Sequence, residues 1–279
     1  MTHDKILRIV EQHWDKEVEA GGGYTVPALA LTRGLIEDYI AGQRDDLPGI
    51  EDTMEPRSLL KGVQGKDVLC LASGGGQQSV VFGLLGAQVT VFDLSEGQLR
   101  GDRTAAQHYG YEVKTVKGDA CDLSCFADAS FDLVYQAPSM GWIPEVRAVY
   151  REVYRVLRSG GIYRVAIGNP AVHLVEWDGT GYRIVGRYKG GPVLRNAAGV
   201  ENLEEGEPTG DHRHLFRDTL GGLPEAGFVI REVGEDSRPF RKSVRGEPGG
   251  WIHMQHFLGV EIDVVAEKAL GGSGQEKKP

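Results

Sequence analysis

The sequence predicts an α/β fold: a doubly wound, mostly parallel sheet of seven strands, preceded by N-terminal helices and interrupted by an insertion after the fifth strand. Three observations carry this. From Lys66 onward, short apolar runs alternate with amphipathic stretches, the pattern of strands buried on both faces by crossover helices. The first run, Val68–Leu71, opens almost directly into Gly74-Gly75-Gly76. Finally, 40 of the 279 residues are glycine, about twice the usual share of roughly 7%. The glycines show no period of three, and 41% of the chain is hydrophobic. Collagen and low-complexity disorder are thereby excluded, leaving a folded chain rich in tight turns.

Each element follows in order. Ile6, Leu7, Ile9, Val10, Trp14 and Val18 stand at helical spacing among charges, predicting an amphipathic helix over 4–19 that stops at Gly21-Gly22-Gly23. A second helix is expected from Pro27 to Ala41, with proline at its start and Gly42 after its end. Strands are expected at Val68–Leu71, Val89–Phe92, Glu112–Val116, Phe131–Tyr135 and Ile162–Ile167. Between the last two, Val146, Val149, Tyr150, Val153, Val156 and Leu157 trace one face of a helix that Gly160-Gly161 closes. Arg147, Arg151, Arg155 and Arg158 share its other side with Glu145 and Glu152, which reads as a solvated face. After Asn169-Pro170 comes a stretch too long for a simple loop, expected to be a functional cap. Val172–Trp177 and Tyr182–Arg187, flanking Asp178-Gly179, predict a hairpin at its start. A helix at Leu215–Ala226 and strands at Phe228–Val233 and Phe257–Ala266 complete the sheet. Residues 271–279 read as a disordered tail. The expected organisation is an N-terminal helical lid over 1–64, a ligand-binding domain over 65–270 with a substrate cap at 171–212, and the tail.

The formal charge of -9 opposes nucleic-acid binding, which needs a net basic face, and makes small molecules the expected partners. No secretory signal and no apolar run of about 18 residues is present, so no membrane association is expected. Three cysteines, Cys70, Cys121 and Cys125, read as reduced thiols in a cytoplasm. Cys121 and Cys125 are four apart but have no further ligand at zinc-like spacing, so no metal is expected.

The loop after the first strand is the most informative segment. Without Cβ atoms, its glycines let the backbone approach a ligand closely, and the next helix offers its N-terminal N–H groups. Asp93 ends the second strand 19 residues after Gly74, the spacing at which an acid takes ribose hydroxyls. The two features together predict a nucleoside cofactor. For a dinucleotide fingerprint, the position of the third small residue holds Ser79 rather than Gly or Ala.

Downstream, Gly118-Asp119-Ala120 follows the third strand, Ser130–Gln136 holds the fourth and Val156-Leu-Arg-Ser-Gly-Gly161 follows the helix. Over roughly 65–167 this series resembles the class I S-adenosylmethionine-dependent methyltransferases, more narrowly a type 11-like bacterial group. That group is also suggested by His13-Trp-Asp-Lys16 and Tyr24-Thr-Val-Pro27. Their G-x-G-x-G motif falls on Ala72, Gly74 and Gly76, their ribose acid on Asp93 and their adenine-flanking acid on Asp119. The resemblance implies the cofactor S-adenosyl-L-methionine, held by Trp14, Tyr24, Ala72, Ser73, Gly74, Gly76, Gln77, Asp93, Leu94, Gln98, Asp119, Ala120 and Gln136. Two departures stand out: Ala72 replaces the first glycine, and Cys70 occupies a position that is often acidic in the family. Gln77 or a backbone carbonyl would then take over that acid's contact to the methionine amine.

The resemblance further implies in-line attack by an O, N, S or C nucleophile of a small molecule on a sulfonium methyl. Catalysis there rests on alignment and exclusion of water. Where a general base is used, His214, and after it His212, are the candidates, being placed just before the helix at Leu215. Against them stands a helix-capping or surface role. Trp14 and Tyr24 would cover the cofactor or cage its cation, unless Trp14 only packs. Gln136-Ala-Pro-Ser139 does not match the signature of amino-group DNA methyltransferases. A nicotinamide-dependent oxidoreductase and a non-catalytic cofactor-binding scaffold remain as the alternatives.

Overall fold

A computed structural model describes residues 2–51, 54–196, 201–202, 205–235 and 246–270. In chain order the helices are α1 (His3–Ala20), α2 (Arg33–Ile40), α3 (Gln78–Leu84), α4 (Glu96–Tyr109), α5 (Val146–Val156), α6 (Gly222–Glu225) and α7 (Trp251–Gln255). The strands are β1 (Asp67–Leu71), β2 (Gln88–Asp93), β3 (Val113–Lys117), β4 (Phe131–Gln136), β5 (Leu157–Gly168), β6 (Val175–Trp177), β7 (Tyr182–Ile184), β8 (Gly191–Arg195), β9 (Glu201–Asn202), β10 (Glu207–Arg213), β11 (Phe228–Glu235) and β12 (Glu261–Lys268).

The main sheet has seven strands in the order β11-β12-β5-β4-β1-β2-β3. The pairs from β3 through β5 are parallel, whereas β12 runs antiparallel to both β5 and β11. The strand order reverses between β1 and β4, the switch point beside which open α/β sheets bind ligands. Alternation along β1 divides the core: Leu69 and Leu71 pack on the α5 side, Val68 and Cys70 on the side of α2 and α3. All four are fully buried, and burial of each leucine or valine contributes on the order of 1.5–3 kcal/mol.

Helix α5 buries Val146, Val149, Tyr150, Val153 and Val156, as its periodicity predicts. Three of its expected solvent-side arginines are absorbed by acids: Arg147 pairs with Asp218 and Glu225, Arg155 with Asp128 and Glu152, and Arg158 (just past the helix) with Asp67 and Asp132. Helix α1 ends at Gly21 with φ 71°, the left-handed cap its glycines predict.

Four expectations are corrected. The second helix starts at Arg33, not Pro27, and Thr32 caps it by accepting from Leu35 N–H. Residues 26–31 are held extended because Ala28 N–H donates to Gly76 O and Leu31 N–H to Tyr109 Oη. The helix expected over 215–226 shrinks to Gly222–Glu225, since Gly221-Gly222 and Pro224 are poor helix formers. The last strand begins at Glu261 rather than Phe257, because α7 continues as turns through Leu258. Finally, α5 stops at Val156, and Gly160 (φ 74°) lies inside β5, where the pairing with β4 shifts register.

In the insertion, β6 and β7 form the hairpin around Asp178-Gly179, after a 3-10 turn at Pro170–Leu174. A three-stranded sheet, β10-β8-β9, follows. Its β10 backs onto α1: a Cβ at Gly210 would stand 3.1 Å from Val10 and 3.3 Å from Ile9. The tail 271–279 lies outside the described residues. No helix among the described residues is long and apolar enough to cross a membrane.

Candidate functional site

At the carboxyl ends of β1 and β2 the chain turns through Ala72 (φ 45°), Gly75 (φ 99°) and Gly76 (φ 75°). Only glycine fits Gly74, where a Cβ would lie 2.5 Å from Gln98 Cβ and 3.1 Å from Asp93 Oδ2. Consecutive N–H groups of this loop are divided between two buried carboxylates. Gly74 N–H donates to Asp93 Oδ2 at 3.0 Å, and Gly75 and Gly76 N–H donate to Asp102 Oδ2 and Oδ1 at 3.1 Å each. A loop whose donors are consumed by its own acids offers nothing to a pyrophosphate. Its negative surroundings suit a neutral or cationic ligand instead, which counts against a dinucleotide.

Burial pushes the Asp93 carboxyl up to about 6, against hydrogen bonds from Ser95, Gly74 and Leu94 N–H that favour the charged form. The loop borders a cavity of about 640 Å³, within the usual range for small-molecule sites. Ala72, Ser73, Gly74, Phe92, Asp93, Leu94, Gln98, Asp119 and Ala120 line it from the sheet edge, and Leu7, Val10, Trp14 and Tyr24 from the N-terminal segment. Ala137–Ser139, Trp142–Pro144, Gln255, Val260 and Glu261 line the remainder.

The N-terminal segment is fastened over this edge by polar ties along α1. His3 Nε2 lies 2.6 Å from Asp119 Oδ2, Lys117 Nζ donates to Glu11 at 2.5 Å, and Ser95 Oγ donates to Asp15 at 2.6 Å. Inside the roof, Trp14 meets Trp142 edge-on at 5.6 Å, and His13 stacks on Trp142 at 4.5 Å. Trp14 therefore both packs and faces the cavity.

Most of the sequence-predicted cofactor residues converge here: Trp14, Tyr24, Ala72, Ser73, Gly74, Gln77, Asp93, Leu94, Gln98, Asp119 and Ala120 all border the cavity. Gly76 and Gln136 do not. Gly76 turns toward α4, where a Cβ would stand 2.7 Å from Gly101 O. The Gln136 side chain is held inside the sheet edge, accepting from Tyr163 Oη at 2.5 Å and donating to Ser139 Oγ at 3.0 Å. Arg164, fully buried and paired with Asp263, donates to Gln136 O and so steadies the same turn. The amide of Gln77 is committed elsewhere: it donates to Gly23 O and Val26 O and accepts from Glu51 N–H. It straps residues 23–26 across the glycine loop and is not free to replace an acid.

The histidine candidates are corrected by position. His212 and His214 border a separate hollow with Arg213 and Arg217, on the other side of Pro144. His214 Nε2 lies 2.8 Å from Ile143 O, and burial holds both imidazoles below their ordinary range. Neither ring borders the cavity lined by Asp93 and Asp119. None of the described residues of 171–212 lines the cavity either.

One polar atom here lacks a partner: Gln98 Oε1 is buried without a hydrogen bond. An orphaned acceptor beside Asp93, over a glycine whose Cβ would fill the gap, fits a ligand bearing vicinal hydroxyls. Metal donors also meet nearby: His3, Asp119 and Cys121 place one ligand atom each within 4.8 Å of one another, although the His3–Asp119 hydrogen bond already accounts for the nearness of two. Burial and the Asp119 charge push the Cys121 thiol up to about 12.

Sequence reasoning missed Asp102, Trp142 and, at and beyond the end of α7, Gln255, Val260 and Glu261. For Asp102 a signal existed: with Leu99, Ala105 and Ala106 it stands on the buried face of α4, where an acid demands a partner. For Gln255 and Glu261 none existed, because only the sheet order brings β12 beside β5.

Known proteins resemble the chain as follows. The profile of a family described as a methyltransferase domain matches residues 69–165. An uncharacterized methyltransferase of Bacillus subtilis (strain 168), YbaJ, is 36% identical over 233 residues, covering 81% of this chain and 89% of its own. A sterol 24-C-methyltransferase of Eremothecium gossypii is 26% identical over 276 residues, covering 96% of this chain and 64% of its own. In fold, the crystal structure of an S-adenosylmethionine-dependent methyltransferase from Mesorhizobium loti aligns with TM-score 0.59 at 23% identity, covering 76% of this chain and 94% of that one.

Proposed function

The chain belongs to the class I S-adenosylmethionine-dependent methyltransferases, and on that premise we propose that it methylates an apolar small molecule held between α1 and the Met140–Pro144 turn. One observation carries the reading: beyond the polar edge at Asp93 and Asp119, the wall is mostly apolar, with Leu7, Val10, Trp14, Trp142, Ile143, Pro144 and Val260 outnumbering Ser139, Gln255 and Glu261. Such a surface binds by desolvation and shape. The sterol methyltransferase relative supports an apolar acceptor.

Asp93 and Gln98 would hold the ribose hydroxyls, Asp119 and Ala120 would flank the adenine, and Trp14 and Tyr24 would close over the cofactor. When bound, S-adenosylmethionine supplies an already activated methyl group on a cationic sulfur. The residues around it align the acceptor and exclude water, which is the main catalytic contribution such a transfer needs. Among the described cavity-lining residues, the titratable side chains are Tyr24, Asp93, Asp119 and Glu261. Among these described residues Asp93, Asp119 and Glu261 are the carboxylates that could take a proton from a proton-bearing acceptor. We assign the lid to α1 and residues 23–28, with the β8–β10 sheet bracing it from outside.

Titration of the full chain with S-adenosylhomocysteine, NAD and NADP tests the cofactor assignment, with binding of the first alone expected. Incubation with S-adenosylmethionine and a panel of apolar and polar acceptors then tests the class. Adenosylhomocysteine release confined to charged, polar acceptors would overturn the apolar assignment.

A further inference from the structure

We infer that Asp102, supplied from α4, is the positioning carboxylate of the cofactor loop. The inference rests on the cofactor reading above. Position 70, where the family often carries an acid, is a fully buried cysteine whose thiol is pushed up strongly by burial and by the Asp102 charge. A neutral thiol is a weak acceptor and cannot anchor several N–H groups.

Asp102 meets that need from across the loop. Its side chain is fully buried, and it accepts from Gly75 N–H, Gly76 N–H and the Ser79 hydroxyl at 3.1, 3.1 and 2.5 Å. These bonds hold consecutive left-handed residues and the start of α3 in one arrangement. The neighbouring N–H, that of Gly74, is then presented to Asp93. Close backbone packing completes the clamp, since Gly101, one residue before Asp102, lies so near Gly75 that a Cβ there would stand 2.8 Å from Gly75 O. Asp102 does not border the cavity. It acts through the loop, and no part of the reacting chemistry is assigned to it.

Burial raises the Asp102 carboxyl to about 7, with the Asp93 charge adding to the rise and the Ser79, Gly75 and Gly76 donors opposing it. The titratable groups facing it are Asp93 from β2, Cys70 from β1 and Tyr111 after α4, the last two raised out of the neutral range. Acidification through neutrality therefore adds a proton to the Asp93–Asp102 pair. Protonation turns one Asp102 oxygen into a donor and a poor acceptor for the N–H that faces it, leaving Gly75 N–H or Gly76 N–H weakly held.

Calorimetric titration of the full chain with S-adenosylhomocysteine between pH 5.5 and 8.5 tests this, using the wild type and Asp102→Asn, with unfolding monitored in parallel. At pH 8 the variant is expected to bind at least tenfold more weakly while still unfolding cooperatively, because an amide cannot accept on both sides of the loop. Wild-type affinity is expected to fall as the pH drops below about 7, and the fall in the variant to be shallower because one carboxylate of the pair no longer titrates. Equal affinities, or identical pH profiles, would overturn the role of Asp102. Should the variant fail to fold, a wild-type affinity that stays flat from pH 8 to 6.5 overturns it instead. Absence of wild-type binding at every pH would sink the cofactor assignment itself, a different failure.

Discussion

The glycine loop and the 170–213 insertion are both glycine-rich, yet glycine does different work in each. In the loop, Gly74, Gly75 and Gly76 are packed so closely that added Cβ atoms would lie 2.5–2.7 Å from Gln98, Tyr24 O and Gly101 O. In the insertion, Gly179, Gly181 and Gly191 have nothing within 4 Å of an added Cβ. Gly75 and Gly76 combine close approach with positive φ, whereas the insertion is mixed: Gly179, Gly181 and Gly191 face open space, while Gly190 and Gly206 sit against Arg213 O and Arg195 O. Substitutions at the open insertion glycines should therefore be tolerated where those in the loop are not.

The largest effect is expected from Asp93→Ala, which removes the acceptor of Gly74 N–H and, on the proposed function, that of the ribose hydroxyls. Bonds to a charged group contribute about 1.5–3 kcal/mol each, and about 1.4 kcal/mol is tenfold. S-adenosylhomocysteine affinity should thus fall by on the order of a hundredfold in calorimetry; a loss under threefold would break the assignment of this edge as the cofactor site. Gly76→Ala comes next. It forces a side chain into φ 75° and against Gly101 O, and should cost about 1–3 kcal/mol in urea unfolding, whereas Gly181→Ala in the insertion should cost less than about 0.5 kcal/mol.

Acid–base behaviour sharpens the comparison. Asp93 and Asp102 have folded pKa values raised to about 6 and 7 from 3.8. The folded state therefore holds their protons to higher pH than the unfolded chain does. Their contribution to stability is full below about pH 4 and is lost as pH rises through 6 and 7. Apo stability measured from pH 5 to 8 should decline more steeply in the wild type than in Asp102→Asn. The smallest effect is expected from His214→Ala: cofactor affinity and turnover unchanged, with at most about 1 kcal/mol lost with the bond to Ile143 O. A turnover loss above tenfold with intact affinity would return His214 to the catalytic list.

The sequence-predicted residues that the fold brings to one cavity are those built from neighbours in the chain. Val68–Leu71 running into glycines, Asp93 ending the next strand and Asp119-Ala120 after the third all sit on one sheet edge by strand order alone, and the structure collects them there. Gln77 and Gln136 were placed near the site, but their side chains bond to the N-terminal strap and to Tyr163, partners that no local pattern reveals. His214 failed for a related reason. Its position before a helix suggested the ligand edge, but turns replace most of that helix and the ring faces the back of Ile143. Pro27 resembled a helix start until the N–H groups behind it proved to be engaged by Gly76 O and Tyr109 Oη.

By itself, the sequence determined the α/β class, the strand carrying the cofactor loop and the acids that flank it, because period, spacing and glycine conformation are local properties of the chain. Tertiary structure alone decided what covers that loop and what anchors it. Helix α1 is laid over the cavity by His3, Glu11 and Asp15 reaching Asp119, Lys117 and Ser95, and Asp102 arrives from a helix one strand further on. Such contacts span some 25 to more than 100 residues. No local pattern announces them, because their partners meet only once the chain has folded.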